Sequence, residues 1–333
     1  MTMQRLLLLL LLASGLASCG LFGVSSEDRE ALARYQRNAK LYYEGGNFGQ
    51  ALDQVRRGLD LAPDDYNLQY IKGWCYLRQV SRDPAMLRQA VEQFETVMAY
   101  RSPEDHGPQA LLGYAVCQQE LARQRLEQAQ SLRDELARVK FDQHEVALRE
   151  AQALAHENVA RGYLDIAARH LQILIDRGDQ LREAHRNMMQ TLALAGRYED
   201  AVVQGHKFLA RSQQEKERID RDLERTTEVA YEQDLYQKRD RLIDVELQVH
   251  GFLANLFYKQ AAYQKAVDEL NAILAEDPTR SIDYYNRGLN LQALDHKEEA
   301  ASDFNRFLAT SKLPPGNERV AEAQRRLREL ANR

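Results

Sequence analysis

Proline is scarce in this chain, seven in 333 residues, and cysteine scarcer still, at three. So few prolines leave room for long uninterrupted helices, since a proline inside a helix costs about 3 kcal/mol. Beyond the N-terminus no apolar run approaches the ~20 residues needed to span a bilayer. The motifs of common chemistries are missing too: there is no Gly-rich phosphate loop, no Gly-x-Ser-x-Gly elbow and no His-Glu-x-x-His helix. The eight histidines are scattered, and His156-Glu157 lacks a ligand one turn later, so the spacing of a metal site is not met. Paired acids such as Asp64-Asp65 and Glu298-Glu299 stand where caps and helix dipoles account for them. The expectation is no catalysis, no cofactor and no metal. A net charge of −5 gives no reason to expect nucleic acid as a partner.

What is present begins with an address. Residues 1–18 carry one positive charge, Arg5, then an unbroken leucine run from Leu6 to Leu12, then small residues. That is the layout of a signal peptide, too short to span a membrane. Leu16-Ala17-Ser18-Cys19 resembles the lipobox of bacterial lipoproteins. The resemblance implies acylation of Cys19, with palmitate among its chains, and several chains would make anchoring stable. Gly20, where an aspartate would imply retention, implies the outer membrane and a protein on its periplasmic face. Residues 19–30 are read as the lipidated cysteine and a brief tether, and residues 31–333 as one continuous domain.

That domain repeats itself. Gly46-Asn47-Phe48-Gly49-Gln50-Ala51-Leu52 corresponds to Gly196-Arg197-Tyr198-Glu199-Asp200-Ala201-Val202 and to Ala261-Ala262-Tyr263-Gln264-Lys265-Ala266-Val267. The step from Ala51 to Pro63 equals that from Ala266 to Pro278. The pattern resembles the tetratricopeptide (TPR) motif of about 34 residues, two antiparallel helices A and B with small residues where they cross. Small residues let backbones approach and large ones fill the gaps. Repeats fall at 32–65, about 66–105, 182–215, 247–280 and 281–314. The tail Glu318–Asn332 reads as a helix that closes the exposed end.

The third repeat is split. Gln109, Leu112, Gly113 and Val116 match helix A, while Leu164, Ala167, Leu171 and Leu174 match helix B. The insertion between them, about 121–160, is rich in helix formers. Ala122, Leu126, Ala129, Leu132, Leu136 and Val139 make an apolar stripe. A turn near Lys140–Asp142 returns the chain through Val146, Ala151 and Leu154, giving an antiparallel hairpin. A second extension covers about 212–246, where the dense charges read as a solvated helix face with i,i+4 pairs. The fold expected is all-α: a right-handed TPR superhelix (α-solenoid) with two long helical-hairpin extensions and a C-terminal capping helix.

Cys75 and Cys117 fall on neighbouring A helices. Axes about 8–10 Å apart fit small buried thiols better than a disulfide, which needs Cα atoms within about 7 Å, though a disulfide stays open. The TPR resemblance implies a concave face lined by helix A side chains. These fall here on Gln36, Lys40 and Tyr43, then Tyr70 and Trp74, Tyr114, Arg186 and Gln190, Asn255 and Tyr258, and Tyr285. Large aromatics with polar tips are typical interface anchors; packing between A helices is the other fate open to Trp74. The function expected is an outer-membrane-anchored periplasmic scaffold that binds proteins of the cell envelope in assembly or secretion. The alternative is a carrier or sensor holding a small molecule, glycan or peptide in the groove, which a closed apolar pocket at Tyr70, Trp74 and Tyr114 would favour.

Overall fold

The computed structural model describes residues 26–99, 107–178 and 181–331. Among them lie thirteen helices and no strand. The expected signal peptide, Cys19 and the tether up to residue 25 lie outside the described residues. The chain divides into two compact units, 1–156 and 157–333.

The first unit is built from α1 (Ser26–Glu44), α2 (Phe48–Leu61), α3 (Tyr66–Gln79), α4 (Met86–Ala99), α5 (Pro108–Arg138) and the start of α6 (Gln143–Arg177). Helix α1 begins inside the stretch read as a tether, and Glu27 and Asp28 in its first turn complement the helix dipole. Each helix packs on the next from α1 to α5, and α1 also touches α3 as α3 touches α5. Helices α1 and α2, and α3 and α4, are therefore the A and B pairs of the first two repeats. Local chemistry fixes their ends. Gly46 turns the chain between α1 and α2 with φ +74°, a left-handed conformation that costs glycine little. Asp65 caps α3: its Oδ1 accepts from the Leu68 N–H at 2.9 Å while its Oδ2 accepts from Gln36 Nε2 at 2.6 Å. Inside, the Phe94 ring of α4 lies over two backbones at once, those of Gly73 and Gly113. Fully buried Ala39, Ala51 and Ala90 give the same close approach elsewhere.

Helix α5 runs past its repeat and meets the start of α6 in the expected hairpin, with the turn at residues 139–142. Arg149 closes its tip, reaching Glu135 at 2.8 Å and lying 4.2 Å over the Phe141 ring. Farther down, Arg125 Nη1 comes within 3.5 Å of His156 Nδ1. The seam differs from the expected one. Ala122, Ala129 and Ala153 are buried, whereas Ala151 and Leu154 face solvent. Leu126, Leu132, Leu136 and Val146 are half-buried, whereas Leu154 and Leu148 point outward, 53% and 52% exposed.

The second unit contains the end of α6, then α7 (Leu181–Leu194), α8 (Tyr198–Arg225), α9 (Val229–Lys259), α10 (Tyr263–Glu276), α11 (Ser281–Ala293), α12 (Lys297–Thr310) and α13 (Glu318–Ala331). From α7 to α13 each helix packs on its successor. The wedges recur here: Leu253 and Met189 crowd Gly205, and Phe304 crowds Gly288. The A-to-B turns use one backbone conformation with different residues, φ +75° at Gly196, +55° at Ala261 and +62° at Asp295.

Helices α8 and α9 run on into the second extension and turn at residues 226–228. Ile219, Leu235 and Leu242 are buried along its seam with Leu223 against them. Its charges do more than the solvated face expected. Lys238 pairs with Asp234 one turn away at 2.6 Å, but Lys216 crosses the seam to Glu246 at 2.7 Å and Arg239 crosses to Asp220 at 3.0 Å. The end is closed by α13, which buries Val320 and Ala323 against α11 and α12 residues. Glu322 latches it, accepting from the Tyr285 hydroxyl at 2.7 Å and from both Nε and Nη2 of Arg326.

Candidate protein-binding surface

The residues expected to line a groove divide into those engaged by neighbours and those left open. In the first unit Gln36 is half-buried and holds the cap residue Asp65. Lys40 is exposed, 3.8 Å from Glu44. Tyr43 lies 6.0 Å from the Phe48 ring, and Tyr70 lies 5.7 Å from Tyr66. Burial raises the Tyr70 pKa above that of a free tyrosine, and the nearby Tyr43 and Glu44 add to the rise.

Trp74 is a packing residue. It meets Phe94 edge-on at 5.8 Å, its Nε1–H donates to the Gln109 carbonyl at 3.3 Å, and Arg78 covers its ring. Tyr114 donates its hydroxyl to Glu95 at 3.0 Å; burial first, and that bond second, push its pKa up to about 12. Tyr70, Trp74 and Tyr114 are thus occupied with their own neighbours.

In the second unit Arg186 and Gln190 sit half-buried on α7. Asn255 and Tyr258 on α9 are exposed. Tyr285 departs from the expectation: at 5% exposure it belongs to the core with Phe304 and Phe307, and its hydroxyl is bound to Glu322. The capping helix covers Tyr285.

Asn255 and Tyr258 border a partly open hollow of about 190 Å³. Leu270 of α10 and Asn286, Leu289 and Asn290 of α11 complete most of its wall. Asn286 and Asn290 were not singled out from the sequence. The signal was there: two asparagines one turn apart inside a helix, where asparagine is a poor former. Asn290 Nδ2 donates to the Asn286 carbonyl at 2.8 Å, and its Oδ1 is buried without a partner.

Cys75 and Cys117 are free and buried. Burial pushes the Cys75 pKa up to about 12 and that of Cys117 well above the usual thiol value, so both are inert thiols. Glu269 on α10 stands between two imidazoles, 2.6 Å from His250 Nδ1 and 3.3 Å from His206 Nε2. Among the described residues no group of three or more His, Cys, Asp and Glu side chains is placed to hold a metal ion. None of the described helices is long and apolar enough to cross a membrane.

Paired antiparallel helices in about 34-residue steps, wedged by glycine and phenylalanine where they cross, define an all-α array of TPR type. The solved structure from the functional characterization of Pseudomonas aeruginosa pilF has the same fold: TM-score 0.51 at 15% identity, covering 90% of this chain and 99% of that one. Two others are reported alongside it. The C-terminal part of a TPR repeat-containing protein of Cytophaga hutchinsonii aligns with TM-score 0.49 at 12% identity, covering 89% and 95% of the two chains. A thermophilic TPR protein of Thermus thermophilus aligns with TM-score 0.45 at 17% identity, covering 79% and 98%. No model of a known family matches the chain, and no curated protein matches it in sequence.

Proposed function

We propose that the chain is a scaffold of the bacterial envelope, anchored to the outer membrane through Cys19 and facing the periplasm. It binds proteins of the envelope through its TPR surfaces during assembly or secretion. The observation that carries the reading is how side chains are distributed over this fold. Glycine–phenylalanine wedges and buried alanines lock the interior. Polar and apolar residues, among them Lys40, Asn255, Tyr258, Leu148 and Leu154, stand open on the A helices and on the first hairpin. Exposed apolar residues on a projecting helix pair suit contact with another protein. The lipobox-like Leu16-Ala17-Ser18-Cys19 supports the anchor, and Gly20 supports the outer membrane. The carrier alternative draws no support from Tyr70, Trp74 and Tyr114, which pack on their neighbours.

In-cell crosslinking and affinity isolation of the tagged chain, beside a version lacking residues 121–159, tests the scaffold. A near-stoichiometric protein partner is expected, and its loss in the deletion would place the contact on the hairpin. Recovery of lipid or murein alone would overturn the scaffold reading. Incorporation of labelled palmitate, lost in Cys19→Ala, tests the anchor separately.

A further inference from the structure

We propose that the cleft lined by the end of α6, by α7 and by α8 binds a phosphate group carrying two negative charges, on a small monoester or on a lipid headgroup. The site lies wholly within the second unit. It does not depend on the scaffold reading.

The sequence sets up the charge. On α8, Lys207 has Val203 and Gln204 one turn before it and Ala210 and Arg211 one turn after. No acid therefore stands where an i,i+3 or i,i+4 pair would neutralise it, and the Arg211 beside it is a like charge, which destabilises a helix. Arg211 does have an acid one turn on, Glu215, but Arg182 of α7 takes that carboxylate at 2.6 Å. Lys216 is likewise matched, by Glu246 at 2.7 Å. Among the described residues Lys207 and Arg211 form no ion pair.

Folding brings both to one cleft of about 650 Å³, within the range of small-molecule sites. Asp176 and Arg177 of α6 and His185 of α7 also line it. His185 locates the two charges. It is 5% exposed, and its Nδ1 lies 2.7 Å from Gln204 Oε1. Burial holds its pKa below the ordinary value; the Gln204 bond works the other way, and Lys207 and Arg211 each lower it further. Two cations thus act on one ring in the wall, so their charges converge there. They stand on a B helix and not among the helix A residues expected to line the groove.

The balance of charge says what fits. Asp176 is the one acid of the lining, it accepts from Gln172 Nε2 at 2.7 Å, and in charge Arg177 offsets it. Two positive charges remain, those of Lys207 and Arg211. A carboxylate brings only one negative charge. A phosphate monoester brings about 1.5 to 2 at pH 7, with three acceptor oxygens. The Arg211 fork can hold two of these while the Lys207 ammonium takes the third.

Calorimetric titration of the full chain in nonionic detergent tests the site, with glycerol 3-phosphate and dihexanoyl phosphatidic acid as probes. Dihexanoyl phosphatidylcholine, whose phosphate is a singly charged diester, is the control. Both monoesters are expected to bind with Kd below about 1 mM, and the diester not at all. A preference for the lipid of tenfold or more marks a headgroup site; equal affinities mark a soluble ester. Lys207→Gln and Arg211→Gln should each weaken binding about tenfold or more, one charge-assisted hydrogen bond's worth. Both residues are exposed, and circular dichroism checks that the variants fold. Lys312→Gln, which removes the same charge from an exposed position outside the cleft, should bind as the parent does. Absence of binding, equal binding of the diester, or indifference to the two α8 variants would overturn the site. So would tenfold tighter binding of a hexaglutamate peptide, which would make the cleft one for an acidic protein segment. None of these results touches the crosslinking test of the scaffold.

Discussion

The ring of Phe94 occupies the space that a side chain at Gly113 would need. A Cβ built there would come within 2.2 Å of the ring, and one at Gly73 within 2.9 Å. One aromatic thus sets the distance between its own repeat and the next. Gly113→Ala should lower the melting temperature, because overpacking costs about 1–3 kcal/mol where the neighbour cannot yield. Phe94→Ala should cost more, about 3–5 kcal/mol, by opening a cavity between α3, α4 and α5. Urea titrations followed by circular dichroism give both values; an unchanged midpoint for either would contradict the wedge.

Ala261 offers the opposite case. It holds φ +55° in the turn where Gly46 and Gly196 stand in other repeats. A side chain in the left-handed region costs roughly 1–2 kcal/mol. Ala261→Gly should therefore stabilise the chain by about 1 kcal/mol even though it removes a methyl group, while Gly196→Ala should destabilise it by a similar amount. Thermal melts of the two variants run side by side compare the two signs directly.

The capping helix should respond to acid. Glu322 accepts from Tyr285 and Arg326, and these bonds hold its pKa below the ordinary 4.5. A depressed folded pKa gives stability that is present above about 4.5 and lost as pH falls through the folded value. Tyr285 has the other sign: burial, then its bond to Glu322, raise its pKa to about 12. Its share is present below 10 and lost as pH climbs from 10 towards 12. Hydrogen exchange across residues 318–331 should show α13 losing protection below about pH 4.5, and Glu322→Gln should already be less protected at neutral pH.

Cys75 and Cys117 should be silent in the native protein. Both are buried and their thiols ionise only far above neutrality. Ellman's reagent at pH 8 should find neither until denaturant is added, when both should react at once. Rapid reaction of either thiol in the folded chain would mean that its part of the stack opens on its own.

The array itself was legible in the sequence because its determinants are large and periodic. Glycine, then an aromatic, then alanine recur at fixed offsets, and each residue type answers a specific contact: Gly73 to Phe94, Gly288 to Phe304, Ala51 to a helix crossing. The first hairpin could be read as well, since strong helix formers run through both of its arms and break at residues 139–142. Sequence reading erred where contrast was low. Alanine serves equally in a seam or on a surface, so Ala151 and Ala153 could not be told apart, and Leu154 was drawn inward although it points out. Tyr285 was placed on the groove by its repeat position, but the last repeat is covered by a helix whose docking no local pattern announces. Asn286 and Asn290 went unnoticed because carboxamides in a helix acquire meaning only when a neighbouring helix closes a space around them.

The alanine seam of the first hairpin also governs how freely this stretch can drift. At positions 122, 129 and 153 the side chains are buried and overpacking is costly, so a library randomised there should return alanine, glycine and serine. Leu148 and Leu154 lie under no such restriction from the fold itself. If selection for growth nevertheless keeps them leucine, the pressure comes from outside the chain. The tolerance map of some twenty residues would then report the presence of a partner before that partner has been isolated.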